Sequence, residues 1–193
     1  MTTIPRALNS AGGESATLVM MATALVLVVL PRLALIAVGP QFAGDSHAYA
    51  TVAQNILEHL CVSMSEPLQG DCMPHWGGNQ LPGFPAFVAA VWAVAGRSLS
   101  SPLIAQSIVM AVCVAYLAHA IMRSGYGRTV AWFTIVVVAL SPTLLGWSRT
   151  FLTEGLAIAL SLWVLAEVLR SDAEARLRVW PLGFALAAGL FVR

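Results

Sequence analysis

The apolar run over residues 16–38 is the feature that most limits what this chain can fold into. About 20 consecutive apolar residues are enough for a helix to cross the hydrocarbon core of a bilayer. The run is longer than the apolar part of a typical signal peptide, and it contains Pro31 and Arg32. The sequence therefore predicts an uncleaved first transmembrane helix at 16–38.

Further apolar runs fill most of the remaining chain, and the composition agrees with them. Hydrophobic residues make up 59% of the sequence and charged residues 10%, whereas soluble domains carry about 25% charged residues. Lipid must therefore cover much of the surface, and the net charge of +1 argues against a nucleic-acid partner. We predict an all-α polytopic membrane protein with about five to six apolar helices, forming a single transmembrane domain over 1–193. The later apolar runs are 83–96, 102–122, 129–147, 151–169 and 179–192.

Residues 40–82 form the one large hydrophilic stretch, and it contains no Arg or Lys. Basic residues collect in cytoplasmic loops, so this stretch is predicted to be an extracytoplasmic loop. Within it, residues 45–60 place apolar side chains at helical spacing. This pattern predicts an amphipathic helix lying on the membrane surface or on the protein. Cys61 and Cys72 lie in the same loop and could form a disulfide in an oxidising compartment.

The arginines indicate the topology of the later helices. Arg123 and Arg128 flank one link between apolar runs, and Arg170 begins another, so both links are predicted to be cytoplasmic. The run 83–96 is short for a span and is expected to dip into the membrane or to merge with the next run. The turn before Glu154 then lies on the same side as loop 40–82, whereas a full crossing by 83–96 would make that turn cytoplasmic. The remaining helices are predicted within 83–193. The apolar run at the end suggests that the chain is the N-terminal portion of a longer enzyme.

Two acidic residues are the candidate catalytic groups. Asp45 opens the amphipathic helix, where Asp is either an N-cap or a carboxylate held at the membrane surface as a general base. Glu154 begins an apolar run, and an ionisable residue near the bilayer is usually paired or functional. An ion pair with Arg149, five residues earlier, is the structural alternative.

Basic residues near the same predicted face could bind an anionic substrate, because the planar guanidinium of Arg offers several hydrogen-bond donors to phosphate. Arg32, Arg149 and Arg193 are the candidates, although Arg32 could instead extend its charged end to lipid headgroups. His47 follows Asp45 by two residues and is a candidate neighbour of the site. The sequence shows no metal-ligand spacing, so no metal site is predicted.

The order of these features resembles a known family. A helix with a late Arg is followed by Asp-x-x-x-Tyr at Asp45 and Tyr49, by an amphipathic helix, by Pro-Gly-Phe-Pro at 82–85, and by Thr153-Glu154. This arrangement, from about Arg32 to Arg193, is similar to the GT-C superfamily of polyprenyl-phosphate-sugar-dependent glycosyltransferases. The closest likeness is to its protein-mannosyltransferase and lipid A aminoarabinose-transferase branch.

The resemblance implies an outward-facing site in the bacterial plasma membrane. It assigns catalytic roles to Asp45 and Glu154. It also matches Tyr49 to the aromatic residue of the family's first motif and implies a place near the donor phosphate for Arg193. Family members often have Glu after the first Asp, but Ser46 stands there in this chain. The implied partners are membrane lipid, a polyprenyl-phosphate-sugar donor, and a lipid, glycan or protein acceptor. The cofactor is unknown, and a divalent metal is left open by the family.

Two other classes of protein remain alternatives at this point. Glu and Arg within the membrane could line the path of a transporter. The loop 40–82 could instead be the docking surface of a non-catalytic assembly protein. Substitution of Asp45 and Glu154 distinguishes these alternatives, since only a transferase should lose turnover while still folding.

Overall fold

A computed structural model describes residues 10–64, 82–174 and 179–192, and the regular secondary structure within these ranges is entirely helical. A single isolated backbone bridge is the only extended pairing there. The all-α prediction is therefore confirmed for the described residues. The helices, in chain order, are α1 (Ser10–Val38), α2 (Ser46–His59), α3 (Gly83–Ala95), α4 (Ser100–Arg123), α5 (Arg128–Leu140), α6 (Pro142–Ser148), α7 (Glu154–Ala173) and α8 (Val179–Val192).

Two described helices are long and apolar enough to cross a membrane, namely Thr17–Val38 of α1 and Ser100–Arg123 of α4. The pair α5 and α6 would make a third span if the two helices, bent by 53° at their junction, are taken together. The prediction of five to six apolar membrane helices is therefore not confirmed. Helices α3 and α8 have 13 and 14 residues, less than the usual span, and α7 carries charged residues at both of its ends.

Helix α4 lies at the centre of the bundle, with α1, α5 and α7 packed around it. Small side chains at Ala111, Ala115 and Ala118 are almost completely buried in these contacts. Small residues let helix backbones approach closely, which is how helices associate where lipid removes the ordinary hydrophobic driving force. The sequence of α4 therefore suits a central helix better than a lipid-facing one.

Helices α4 and α7 run in the same direction, so their starts lie at one end of the bundle and their ends at the other. The start of α7 meets Gln106 near the start of α4. At the opposite end, the Ser124 hydroxyl donates to the Leu169 carbonyl at 2.9 Å. Arg123 and Arg170 lie close together at this second end. The two basic links are therefore neighbours, far from the start of α7.

The amphipathic helix predicted at 45–60 is present as α2, and it lies on the protein. Tyr49, Val52 and Ala53 are buried against α3 and its surroundings. The helix ends one residue earlier than predicted, because Leu60 adopts a left-handed conformation with φ 52°. Leu60 is 91% exposed as a result, so it is not part of the buried stripe.

Helix α3 stays at the end of the bundle where α7 starts. Phe84 at its beginning and Trp92 near its end both lie against Phe151, with ring centroids 5.5 and 6.4 Å away. A helix whose two ends contact the same residue lies across that end of the bundle. Cys61 is buried and disulfide-bonded. Its predicted partner Cys72 lies outside the described residues.

Candidate functional site

A backbone bridge joins the segment after α1 to the segment before α7. Gln41 pairs in parallel with Thr150: the Gln41 N–H donates to the Arg149 carbonyl at 2.7 Å, and the Phe151 N–H donates to the Gln41 carbonyl at 3.1 Å. Residues that lie far apart in sequence are thereby held side by side. The bridge brings the Asp45 segment next to the Glu154 segment at one end of the bundle.

An aromatic cluster beneath the bridge fixes the same segments. Phe151 is completely buried and contacts the rings of Phe42, Phe84 and Trp92. Phe84 also meets Tyr49 edge to face, with centroids 5.3 Å apart and planes at 79°. Edge-to-face pairs of this kind are favourable beyond the area they bury. The rings of Phe84 and Phe151 thus pack α2, α3 and the segment before α7 against one another.

The Tyr49 phenol is near enough to both predicted catalytic acids for their charges to influence its pKa. Burial raises the pKa of Tyr49 above its usual value of 10.0, and the negative charges of Asp45 and Glu154 raise it further. The Thr153 hydroxyl, within hydrogen-bonding reach of the phenol, opposes this shift and lowers the pKa. Tyr49 therefore stays protonated at neutral pH. Both carboxylates are close enough to act electrostatically on one buried hydroxyl.

The two acids have different surroundings. Asp45 is exposed at the N-cap position of α2, but its side chain makes no cap hydrogen bond. Glu154 is the first residue of α7 and is partly buried, and its Oε2 atom is buried with no hydrogen-bond partner. No ion pair joins Glu154 to Arg149, although both residues are described. The capping and ion-pair alternatives therefore do not account for either carboxylate.

Gln106 of α4 holds the start of α7 in place. With its amide oxygen turned towards α7, Gln106 accepts hydrogen bonds from the Gly155 N–H at 3.2 Å and the Leu156 N–H at 2.9 Å. These donors have no partner within the helix, because the first N–H groups of any helix lack one. Gly155 is needed for the contact, since a Cβ there would lie 1.8 Å from the Gln106 amide.

Arg32 lies inside the bundle, with only 1% of its surface exposed. Its guanidinium donates to the Val28 carbonyl at 2.7 Å and to the Val138 carbonyl of α5 at 3.1 Å. The side chain thus does not extend to lipid headgroups. It also lines a small cavity that reaches Gly155, next to Glu154.

Two of the remaining predicted binding residues, His47 and Arg149, lie at this end of the bundle. His47 is exposed and stacks on Phe42 with ring centroids 4.6 Å apart. Arg149 is half-buried, and its backbone is part of the bridge. Arg193 lies outside the described residues, so its predicted role stays a prediction. Among the side chains that the structure describes, no group of three or more His, Cys, Asp or Glu residues could hold a metal ion.

Sequence reasoning missed two residues that shape this site, namely Phe151 and Gln106. In the sequence, Phe151 is one more apolar residue in a run. Gln106 carried a usable signal, because a neutral polar side chain inside an apolar run must find a partner when it is buried. No family model, curated protein or solved structure matches this chain.

Proposed function

We propose that this chain forms part of a membrane glycosyltransferase of the GT-C type, which moves a sugar from a polyprenyl-phosphate donor to an acceptor. The motif order described above suggests this class. The observation that carries the proposal is that the Gln41–Thr150 bridge and the Phe151 cluster bring the Asp45 and Glu154 segments together at one end of the bundle. A merely structural pair of acids would be expected to have capping or ion-pair partners, and neither carboxylate has them among the described residues.

The arrangement suits attack on an anomeric carbon. The acceptor hydroxyl or amine must lose a proton as it attacks, and a carboxylate within reach of the attacking atom removes it. Asp45 is exposed to an incoming acceptor, whereas Glu154 is partly enclosed and offers a fixed negative charge beside the reacting centre. Protonated Tyr49 can donate a hydrogen bond to either carboxylate or to a substrate oxygen.

The leaving group of such a donor is an anionic lipid phosphate, which a cation can stabilise. Arg149 is the nearest described candidate, because its backbone belongs to the Gln41 bridge. Arg193 keeps the role that the resemblance implies for it. The donor's lipid chain would lie in the bilayer alongside the bundle, so the transfer would take place at the membrane surface.

The site is proposed to face the extracytoplasmic side of the plasma membrane. Arg123 and Arg170 lie together at the opposite end of the bundle, and basic residues favour the cytoplasmic side. The disulfide bond of Cys61 supports the same orientation, since disulfides persist in oxidising compartments. Both observations concern residues outside the acid pair and so support the orientation independently.

The direct test is Asp45→Asn in the full-length protein, assayed in native membranes for consumption of endogenous polyprenyl-phosphate sugars by mass spectrometry. We expect the variant to abolish consumption. Asp172→Asn, at the exposed far end of α7, is the matched control and should leave it unchanged. Unchanged consumption by a folded Asp45→Asn variant would contradict the role of Asp45, and a docking or transport role would then be the better explanation.

A further inference from the structure

The junction between α5 and α6 leaves the Val138 carbonyl without its usual helical donor. In a continuous helix the Val138 carbonyl would accept from the N–H of residue 142, but residue 142 is proline and has no N–H. The chain bends by 53° between Leu140 and Pro142. An acceptor inside a helix bundle that finds no donor destabilises the fold.

Arg32 supplies the missing donor. Its Nη2 donates to the Val138 carbonyl at 3.1 Å, while Nη1 donates to the Val28 carbonyl of its own helix at 2.7 Å. The planar guanidinium offers several donors in a fixed geometry, so a single side chain can bridge carbonyls of two helices. No carboxylate of the described chain forms an ion pair with Arg32.

The course of α6 is what places the residues of the site. Helix α6 ends at Ser148, and the next three residues form the bridge to Gln41 and carry the buried Phe151 ring. Arg32, Ser148 and Gly155 line one cavity of about 10 Å³, enough for roughly one water molecule. Arg32 therefore borders the same cavity as the end of α6 and the first turn of α7.

We infer that Arg32 is a positioning residue, which replaces the N–H that Pro142 lacks and thereby holds the α5–α6 bend at the angle that sets the 149–154 segment against Gln41. It acts through the backbone of Val138 and touches no reacting atom. This assignment does not rest on the proposed function. Only the expected effect of Arg32 on turnover rests on the proposed function.

The experiment compares Arg32→Met in two backgrounds by hydrogen exchange of the full chain in lipid nanodiscs. With Pro142 present, we expect exchange of the Gln41 and Phe151 amides to rise roughly tenfold or more, the effect of one unsatisfied buried carbonyl. Amides of central α4 should be unaffected. In the Pro142→Ala background, residue 142 gains an N–H that serves Val138 once Ser141 adopts helical dihedrals, so the same substitution should change exchange by roughly threefold or less.

Arg128→Met is the matched control, because Arg128 is exposed at the other end of the bundle. It should not alter exchange at Gln41 or Phe151. An equal effect of Arg32→Met with and without the Pro142→Ala substitution would overturn the inference. Exchange that rises uniformly across α4 and α6 would also overturn it, because it would show that Arg32 supports only global stability.

Turnover gives a separate readout that depends on the proposed function. If the chain is a transferase, Arg32→Met should lower kcat with little change in KM, and Pro142→Ala should restore part of the loss. If the exchange results hold while no variant affects sugar consumption, the proposed function fails and the positioning role of Arg32 stands.

Discussion

The two glutamates of α7 lie on one helix yet have opposite surroundings. Glu167 is only 2% exposed, and its Oε1 accepts from the Tyr116 hydroxyl at 2.5 Å and from the Trp163 N–H at 3.2 Å. Glu154, at the start of the same helix, is partly exposed and has a buried oxygen without a partner. Both acids lie in the apolar run 151–169, but only Glu154 was singled out from the sequence.

The difference shows how a structural carboxylate can be told from a candidate functional one. The acceptor capacity of Glu167 is used by α4 and by its own helix, and Arg170 extends the network by donating to the Tyr116 hydroxyl at 2.6 Å. Such a network joins helices and gives the buried carboxylate a structural role. The Oε2 atom of Glu154, by contrast, is buried without a hydrogen-bond partner among the described residues.

The largest expected effect comes from Glu154→Gln in the full-length protein. We expect turnover to fall on the order of 100-fold or more, because a carboxylate at the reacting centre typically contributes that much. The midpoint of thermal unfolding should move by less than about 2 °C, since no partner of Glu154 is lost. Glu167→Gln is the control and should keep turnover within about threefold. The reverse pattern would remove the distinction between the two acids.

The second effect concerns stability at Glu167. We expect Glu167→Leu to lower the free energy of unfolding by about 2 kcal/mol, because the Tyr116 hydroxyl and the Trp163 N–H lose their acceptor. Glu167→Gln keeps an acceptor oxygen and should cost less. Thermal or denaturant unfolding in detergent measures both. A gain of stability in Glu167→Leu would mean that the desolvation penalty of the buried carboxylate exceeds the stabilisation from its hydrogen bonds.

The third effect tests how the start of α7 is held. Gly155→Ala would place a Cβ against the Gln106 amide, so Gln106 must move and two N–H groups of α7 lose their acceptor. We expect a loss of about 1–2 kcal/mol. Gly146→Ala is the matched control, because nothing lies within 4 Å of its Cβ position. There the greater helix propensity of Ala should stabilise α6 slightly. Equal unfolding midpoints for the two variants would refute the packing argument.

The smallest effect is a pH dependence at Tyr49. Its pKa in the folded protein is raised above 10.0, so above pH 10 the unfolded chain releases a proton that the folded chain retains. Stability should therefore fall as the pH rises from about 10 towards the raised pKa. Tyr49→Phe cannot ionise and should show a shallower fall. Unfolding midpoints between about pH 8.5 and 11 measure the difference, and parallel curves for the two proteins would exclude the effect.

The helical class, the position of α2 and the boundaries of most apolar runs could be predicted from the sequence. Hydrophobic periodicity and length carry that information locally. The number of membrane spans could not, because α3 and α8 are shorter than a usual span and α7 carries charged residues at both ends. The end of α2 was also missed, since the left-handed conformation of Leu60 is unusual for a residue other than Gly.

For the candidate site, the acids and Tyr49 could be named from the sequence, but their meeting depends on contacts between distant segments. The Gln41 bridge, the Phe151 cluster and the Gln106 contact all join residues from different parts of the chain. Arg32 illustrates the limit most clearly. Its charge suggested phosphate binding, whereas its partners in the structure are backbone carbonyls that no local pattern reveals.

The Gln41–Thr150 bridge also has a consequence for biosynthesis. The two residues of the bridge are separated by about 110 residues of chain. Ribosomes add roughly 5–20 residues per second. For roughly 5–20 s the Asp45 segment has left the ribosome while its partner has not yet been made. During that interval a nascent chain holds one acid without the other. The pair is complete only after the start of α7 has been synthesised.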